Sequence, residues 1–218
     1  MPIARPAICV ITRGRGAANS RERGALLARL ASAAAAGATM IQIRERQFAD
    51  RELLDFAREV VEAVRPHGSI VTLNERIDIA LAAGAGGVHL KSNSPSVSDV
   101  RRIVPAEFLV GRSVHSVEEA VTTAAAGGCD YLLFGTVFPS ASKPADHPIA
   151  GIDALERVCR SVSLPVMAIG GICVERARAL ARSGAAGIAA ISLFAESTDI
   201  GRTVREVHDA LTVSSGNV

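Results

Sequence analysis

Eight times along this chain a short apolar run is followed by a stretch of helical periodicity, and that recurrence constrains the fold more than any other feature. The runs are Ile8–Ile11, Ile41–Arg44, Ser69–Leu73, Gly87–Leu90, Phe108–Gly111, Tyr131–Phe134, Pro165–Ile169 and Gly187–Ile191. They are apolar nearly throughout rather than alternating, which suits strands buried on both faces. The helical stretches that follow are Ser20–Ala36, Asp50–Val64 (with Asp50 as its cap), Asn74–Ala83, Ser98–Val104, Ser116–Ala126, Ile152–Val162, Val174–Arg182 and Gly201–Leu211. A helix between consecutive strands makes them parallel. Eight such units, with no linker-like shift in composition, predict an α/β chain folded as one (β/α)8 TIM barrel domain over residues 1–218. An open doubly wound sheet is the alternative, and it usually takes fewer units.

In a barrel the chemistry sits where the strands end, so the residues just past each run become the candidate site. Here they are Thr12 and Arg13, then Gln42, Arg44 and Arg46, then Asn74 and Glu75, then Lys91, Ser92 and Asn93, then Ser113 and His115, then Gly135 and Thr136, then Gly170 and Gly171, and last Ser192. Nearly all are polar or glycine, which a purely structural rim does not require. In Leu109-Val110-Gly111-Arg112-Ser113-Val114-His115-Ser116 a strand runs into a polar turn that opens a helix. His115 there is the histidine placed for proton transfer near neutral pH. His89, inside an apolar strand, reads as a hydrogen-bonded core residue. His67 and His147, beside prolines, and His208, on the terminal helix, read as surface residues.

Two groups of residues are suited to anions. Gly170 and Gly171 end the seventh run, and Ile191 and Ser192 end the eighth, where barrels commonly bind phosphate. Gln42, Arg44 and Arg46 alternate along an extended segment and share one face, while Lys143 lies in a small-residue loop, Pro139–Pro144, long enough to close over the rim. With Asn74 and Ser113 they form the expected substrate-binding set.

Charge and composition remove several classes. A net charge of +2 and 3% aromatic residues with no Trp argue against a nucleic-acid surface. No run is long enough for a bilayer, and the first residues lack a signal pattern, so the expectation is a cytoplasmic protein without a membrane partner. Cys9, Cys129, Cys159 and Cys173 show no CxxC spacing and read as reduced, packed thiols.

Taken together, Gln42–Arg46, Leu73–Asp78, Gly87–Leu90, Phe134–Pro139, Ser142–Pro144, Ala168–Ile172 and Ile191-Ser192 resemble the thiamine phosphate synthase/TenI superfamily over Ile8 to about Phe194. The resemblance implies one of two activities. The synthase couples a hydroxymethylpyrimidine diphosphate to a thiazole phosphate and uses Mg²⁺, held by carboxylates after the third-strand Asn and shortly after the fourth-strand His-Leu. In this chain those places hold Glu75 and the acid-free Lys91–Ser96. The TenI-like branch carries a segment similar to Gly111–Ser116, where synthases usually have another residue in place of Arg112. From this the sequence is read as a thiazole tautomerase, an isomerase in which His115 shifts a proton within a carboxythiazole phosphate. Gly170, Gly171, Ile191 and Ser192 would hold the phosphate, and Arg44, Arg46 or Lys143 the carboxylate. No cofactor is expected on that reading, Mg²⁺ entering only with the synthase, and the resemblance implies a homodimer. The synthase and a non-catalytic binder of phosphate ligands are the alternatives.

Overall fold

The computed structural model describes residues 3–13, 20–140, 144 and 146–212. Eight parallel strands close into a barrel in chain order: β1 (Ala7–Ile11), β2 (Met40–Ile43), β3 (Ile70–Asn74), β4 (Gly87–Leu90), β5 (Leu109–Val114), β6 (Tyr131–Phe134), β7 (Val166–Ile169) and β8 (Gly187–Ala190). Closure is made by β1 on β8, with Ala7 opposite Gly187 and Val10 opposite Ala190. The helices are α1 (Ser20–Ala35), α2 (Asp50–Val64), α3 (Ile77–Ala82), α4 (Val97–Arg101), α5 (Val117–Ala126), α6 (Gly151–Ser161), α7 (Val174–Leu180), α8 (Ser192–Ala195) and α9 (Ile200–Thr212). The barrel expected from the eightfold recurrence is therefore the observed fold. None of the described helices is long and apolar enough to cross a membrane.

Alternation along each strand divides the core in two. Ile8, Val10, Ile41, Ile43 and Leu73 join the layer between sheet and helices. Cys9, Ile11, Met40, Tyr131, Leu133 and Met167 fill the barrel interior. Tyr131 occupies the space left by its neighbour in register, Gly111, where a Cβ would lie 2.0 Å from the ring. That is why a glycine stands in the middle of β5.

Helix α2 shows how the outer layer is held. Leu53, Phe56, Ala57, Val60, Val61 and Val64 recur at helical spacing and are buried. Full burial of Phe56 contributes about 2–3 kcal/mol, and its ring meets Phe48 edge to face at 5.5 Å. The cap differs from expectation. Ala49 is the N-cap, its N–H donating to Glu52 Oε2 at 3.1 Å, while Asp50 lies in the first turn and receives Arg76 at 2.5 Å. Arg76 also grips Asp78 at 2.7 and 2.9 Å, tying the starts of α2 and α3 together behind β3.

Candidate active site

The rim over β2 to β4 is built on charge. Thr12, buried at the end of β1, donates its N–H to the Gln42 carbonyl at 3.0 Å, and its hydroxyl accepts the Arg44 N–H at 2.8 Å. The chain leaving β2 is thereby pinned, with Arg44 half-buried and Arg46 exposed. Burial pushes the Arg44 guanidinium below its ordinary pKa, Arg46 adds to the drop, and Glu45 and Glu75 oppose it, so these charges share one field. Gln42 follows the interior phase of β2 and is 2% exposed, yet its Nε2 has no hydrogen-bond partner among the described residues. A buried amide donor left bare at a barrel mouth is suited to a ligand acceptor.

Glu75 carries the densest contacts. It follows Asn74 at the end of β3 and has φ 65°, in the left-handed region that a side-chain-bearing residue enters only under constraint. The constraint is visible: its N–H donates to the His89 carbonyl at 2.9 Å, and the Arg76 N–H donates to the Asn74 carbonyl at 2.9 Å. The turn folds the Glu75 carboxylate back beside Asn74, whose Nδ2 donates to it at 3.2 Å. Ser94 donates to Oε1 at 3.0 Å, and the Lys91 ammonium pairs with Oε2. Burial raises the Glu75 pKa, but Lys91, Ser94 and Asn74 together outweigh it and leave the carboxyl below its ordinary value. From sequence Lys91 is a strand-tip residue in a stretch lacking acids, with no role of its own. Strand parity with His89 is the signal that would have set it on the site side.

At the β5 tip the structure accounts for each residue of Gly111–Ser116 except the packed Val114 by a local contact. Gly111 makes room for Tyr131. Arg112 donates to the Ser92 carbonyl at 2.7 Å and the Pro95 carbonyl at 3.1 Å, clamping the loop that carries Lys91. Ser113 Oγ lies 2.8 Å from His89 Nε2, and His89 Nδ1 lies 3.3 Å from the Tyr131 hydroxyl. Burial drives the His89 pKa down to about 3 against the pull of Glu75, so this ring is neutral and positions Ser113. His115 is exposed, with Nδ1 2.6 Å from the Gly135 carbonyl, which fixes that nitrogen as the donor. Ser116 caps α5 by accepting the Glu119 N–H at 3.1 Å.

Across the mouth, over β6 to β8, the rim is backbone. Gly170 and Gly171 have φ 100° and 61°. A Cβ on Gly170 would lie 2.5 Å from Thr136 Cγ2, and one on Gly171 would lie 2.2 Å from the Pro139 carbonyl. The pair thus lets the segment after β6 lie directly on the end of β7. Phe138 donates to the Gly170 carbonyl at 3.1 Å and Arg176 to the Gly171 carbonyl at 2.6 Å. Ser192 opens α8, whose far end is held by Arg29 donating to the carbonyls of Phe194 at 2.7 Å and Ser197 at 3.0 Å.

Gln42, Arg44, Asn74 and Ser113 thus stand at the ends of β2, β3 and β5, with Gly170, Gly171, Ile191 and Ser192 on the other side of the same end. Lys143 lies outside the described residues. Sequence reasoning missed the Lys91–Glu75 pair, Ser94, and the clamping role of Arg112.

The profile of the family described as thiamine monophosphate synthase matches residues 9–194. The chain belongs to that family. A thiamine-phosphate synthase of Methanoculleus marisnigri is 41% identical over 188 residues, which cover 86% of this chain and 88% of the relative. One of Coprothermobacter proteolyticus is 40% identical over 168 residues, 77% of this chain and 79% of its own length. Among solved structures, the thiamine phosphate pyrophosphorylase of Pyrococcus furiosus superposes with a TM-score of 0.84 at 30% identity, covering 96% of this chain and 97% of that one. These relatives of the thiamine monophosphate synthase family correct the tautomerase expectation: the named activity among them is a transferase, not an isomerase. The physical reason lies in Gly111–Ser116. Its residues have packing, clamping and capping roles that any barrel of this family can use, so the segment does not by itself select an isomerase, and the proton-carrier role of His115 was part of that reading.

Proposed function

We propose that this chain is a thiamine phosphate synthase, coupling a hydroxymethylpyrimidine diphosphate to a thiazole phosphate. The observation that carries the reading is the division of the rim. Arg44, Arg46 and Lys91 stand with Glu45 and Glu75 over β2 to β4, Lys91 paired with Glu75, and Gly170, Gly171, Ile191 and Ser192 lie over β7 and β8. A reaction that joins a diphosphate to a monophosphate needs two anion sites of unequal charge, and this rim offers a cationic side and a backbone side.

The bond changes ask little proton chemistry of the protein. The bond from the pyrimidine methylene carbon to the diphosphate oxygen breaks, its electron pair leaving with pyrophosphate, and the lone pair of the thiazole nitrogen forms the new carbon–nitrogen bond. No proton moves in that step. The residues therefore act by positioning and by charge. Arg44 and Arg46 meet the charge gathering on the departing diphosphate. Gln42 and Asn74 offer amide donors and acceptors to a pyrimidine edge. Ser113, held by neutral His89, offers a fixed hydroxyl, and the glycine side holds the thiazole phosphate at its distance.

Mg²⁺ is the ion the resemblance implies for such a diphosphate, and the donor set does not fit it. Mg²⁺ is held through carboxylates and phosphates in near-ideal octahedral geometry. Glu75 is the one carboxylate in place, and it already receives Lys91, Ser94 and Asn74. Among the described residues no group of three or more His, Cys, Asp or Glu could hold a metal.

Purified protein given both substrates should form thiamine phosphate and pyrophosphate in equal amounts, followed by chromatography. Binding of thiazole phosphate with no coupling product under any condition refutes the synthase and leaves a binder of phosphate ligands. Association of two copies belongs to the same proposal, and sedimentation velocity tests it.

A further inference from the structure

The misfit at Glu75 has a specific form. The carboxylate is not missing, as it would be in a decayed metal site; it is present and engaged by a cation from the next strand. We propose that the Lys91 ammonium takes the place of the divalent cation in this chain, binding the diphosphate directly so that diphosphate recognition does not depend on Mg²⁺. The inference rests on the synthase reading for its substrate, though not for its binding chemistry.

Three observations place Lys91 there. Asn74 and His89 are partners in the β3–β4 register, so Glu75 and Lys91 leave their strands side by side at the rim. Lys91 is two residues beyond His89, whose ring faces the barrel interior, and so continues that phase over the mouth. The left-handed turn at Glu75 brings its carboxylate to meet the ammonium rather than letting it follow Leu73 outward.

The loop after Lys91 is built, not slack. The Lys91 N–H donates to Ser94 Oγ at 2.9 Å, the Ser94 N–H donates back to the Lys91 carbonyl at 3.2 Å, and Arg112 clamps Ser92 and Pro95 from β5. Ser94 thus joins loop and carboxylate, accepting from Lys91 and donating to Glu75. The Lys91 side chain is 39% exposed, open to an incoming anion. An ammonium is a compact charge with three donors, well suited to phosphate oxygens, and it asks none of the octahedral geometry that Mg²⁺ demands. Glu75 keeps it in place when the site is empty of anion, and Arg44 and Arg46 supply the remaining positive charge on the same rim.

Calorimetric titration of inorganic pyrophosphate into the full chain, in EDTA and in excess Mg²⁺, tests this directly. The wild-type affinity should differ by no more than about threefold between the two conditions. Lys91→Met should weaken binding in EDTA by about tenfold to hundredfold, the usual worth of a charge-assisted contact. Because that variant frees Glu75, Mg²⁺ should then restore part of the loss, a response that a merely structural lysine would not produce. Lys91→Arg should retain most of the metal-free binding.

Wild-type binding that requires Mg²⁺ overturns the inference, and so does a Lys91→Met chain, melting normally, that binds as the wild type does. The wild-type pair of titrations stands even if a variant misfolds. If pyrophosphate binds in EDTA through Lys91 while no thiamine phosphate forms, the synthase reading fails and the assignment of Lys91 holds.

Discussion

The two sides of the barrel mouth are built by different means. Over β2 to β4 the rim is made of side chains: Arg44, Arg46 and Lys91 with the counter-charges Glu45 and Glu75, the latter positioned by hydrogen bonds from Asn74 and Ser94. Over β6 to β8 it is made of backbone, where Gly170 and Gly171 let the segment after β6 close onto β7 and Ser192 opens a short helix. Charge on flexible side chains can be changed without disturbing the sheet. A backbone surface cannot be separated from the packing that makes it. Mutations on the first side should therefore act on affinity, and mutations on the second on the fold.

The largest effect is expected on the glycine side. Gly171→Ala places a Cβ 2.2 Å from the Pro139 carbonyl in a residue with φ 61°, so steric overlap and backbone strain act together. A loss of about 3 kcal/mol or more in urea denaturation should follow, with thiazole phosphate binding lost alongside it. A variant of native stability that merely binds phosphate poorly would show that the glycines serve the ligand alone, and the contrast between the two sides would collapse.

Next comes Arg44→Met on the charged side. Pyrophosphate affinity should fall about tenfold to hundredfold and become less sensitive to salt, because one charged contact is gone. The urea midpoint should shift little, since the β2 exit is held through Thr12 and the Arg44 backbone rather than its guanidinium. Equal losses of stability and affinity would place Arg44 among the structural residues.

The barrel was legible in the sequence because it is written in repeated, redundant signals. Strands such as Gly87–Leu90 and Tyr131–Phe134 are bounded where the apolar runs place them, and losing one residue at the edge of β2 or β8 leaves the count of eight intact. The site was legible by position but not by role. Gln42, Arg44, Asn74 and Ser113 could be assigned to strand tips. What Gly111–Ser116 does could not, because its contacts run to Tyr131, Ser92, Pro95, His89 and Gly135, all distant in sequence. The same holds for Lys91 and Glu75. Their pairing depends on the β3–β4 register and on one left-handed residue, neither of which has a signature in the residues themselves.

A smaller effect concerns acid. The Glu75 carboxyl is held below its ordinary value of 4.5, so its contacts stabilise the folded state fully above that value and are lost as pH falls through the lower folded-state value. Asp78 and Asp99 are lowered as well and give wild type and variant a shared acid slope. Glu75→Gln should remove only its own part. The gap in melting temperature between wild type and variant should be constant above about pH 5 and shrink towards pH 3. A gap that does not change with pH would mean the carboxylate's charge contributes nothing there, and that Lys91 is held by its loop alone.

The smallest expected effect falls on His115. His115 is exposed, and its side chain is held by a hydrogen bond to the Gly135 carbonyl, worth about 1 kcal/mol in such a setting. The coupling proposed for this rim moves no proton in its bond-changing step, so the imidazole has no general-base task to perform. His115→Asn should therefore leave kcat/KM for thiamine phosphate formation within about threefold of wild type, and its pH profile unchanged between pH 6 and 8, where a working histidine would titrate. Lys91→Met, Arg44→Met and His115→Asn then rank the rim by charge rather than by acid–base character. A steep loss in the histidine variant, with a wild-type inflection near neutral pH that the variant lacks, would show that the β5 tip takes part in the chemistry and that the division into a charged side and a backbone side omits a third contributor.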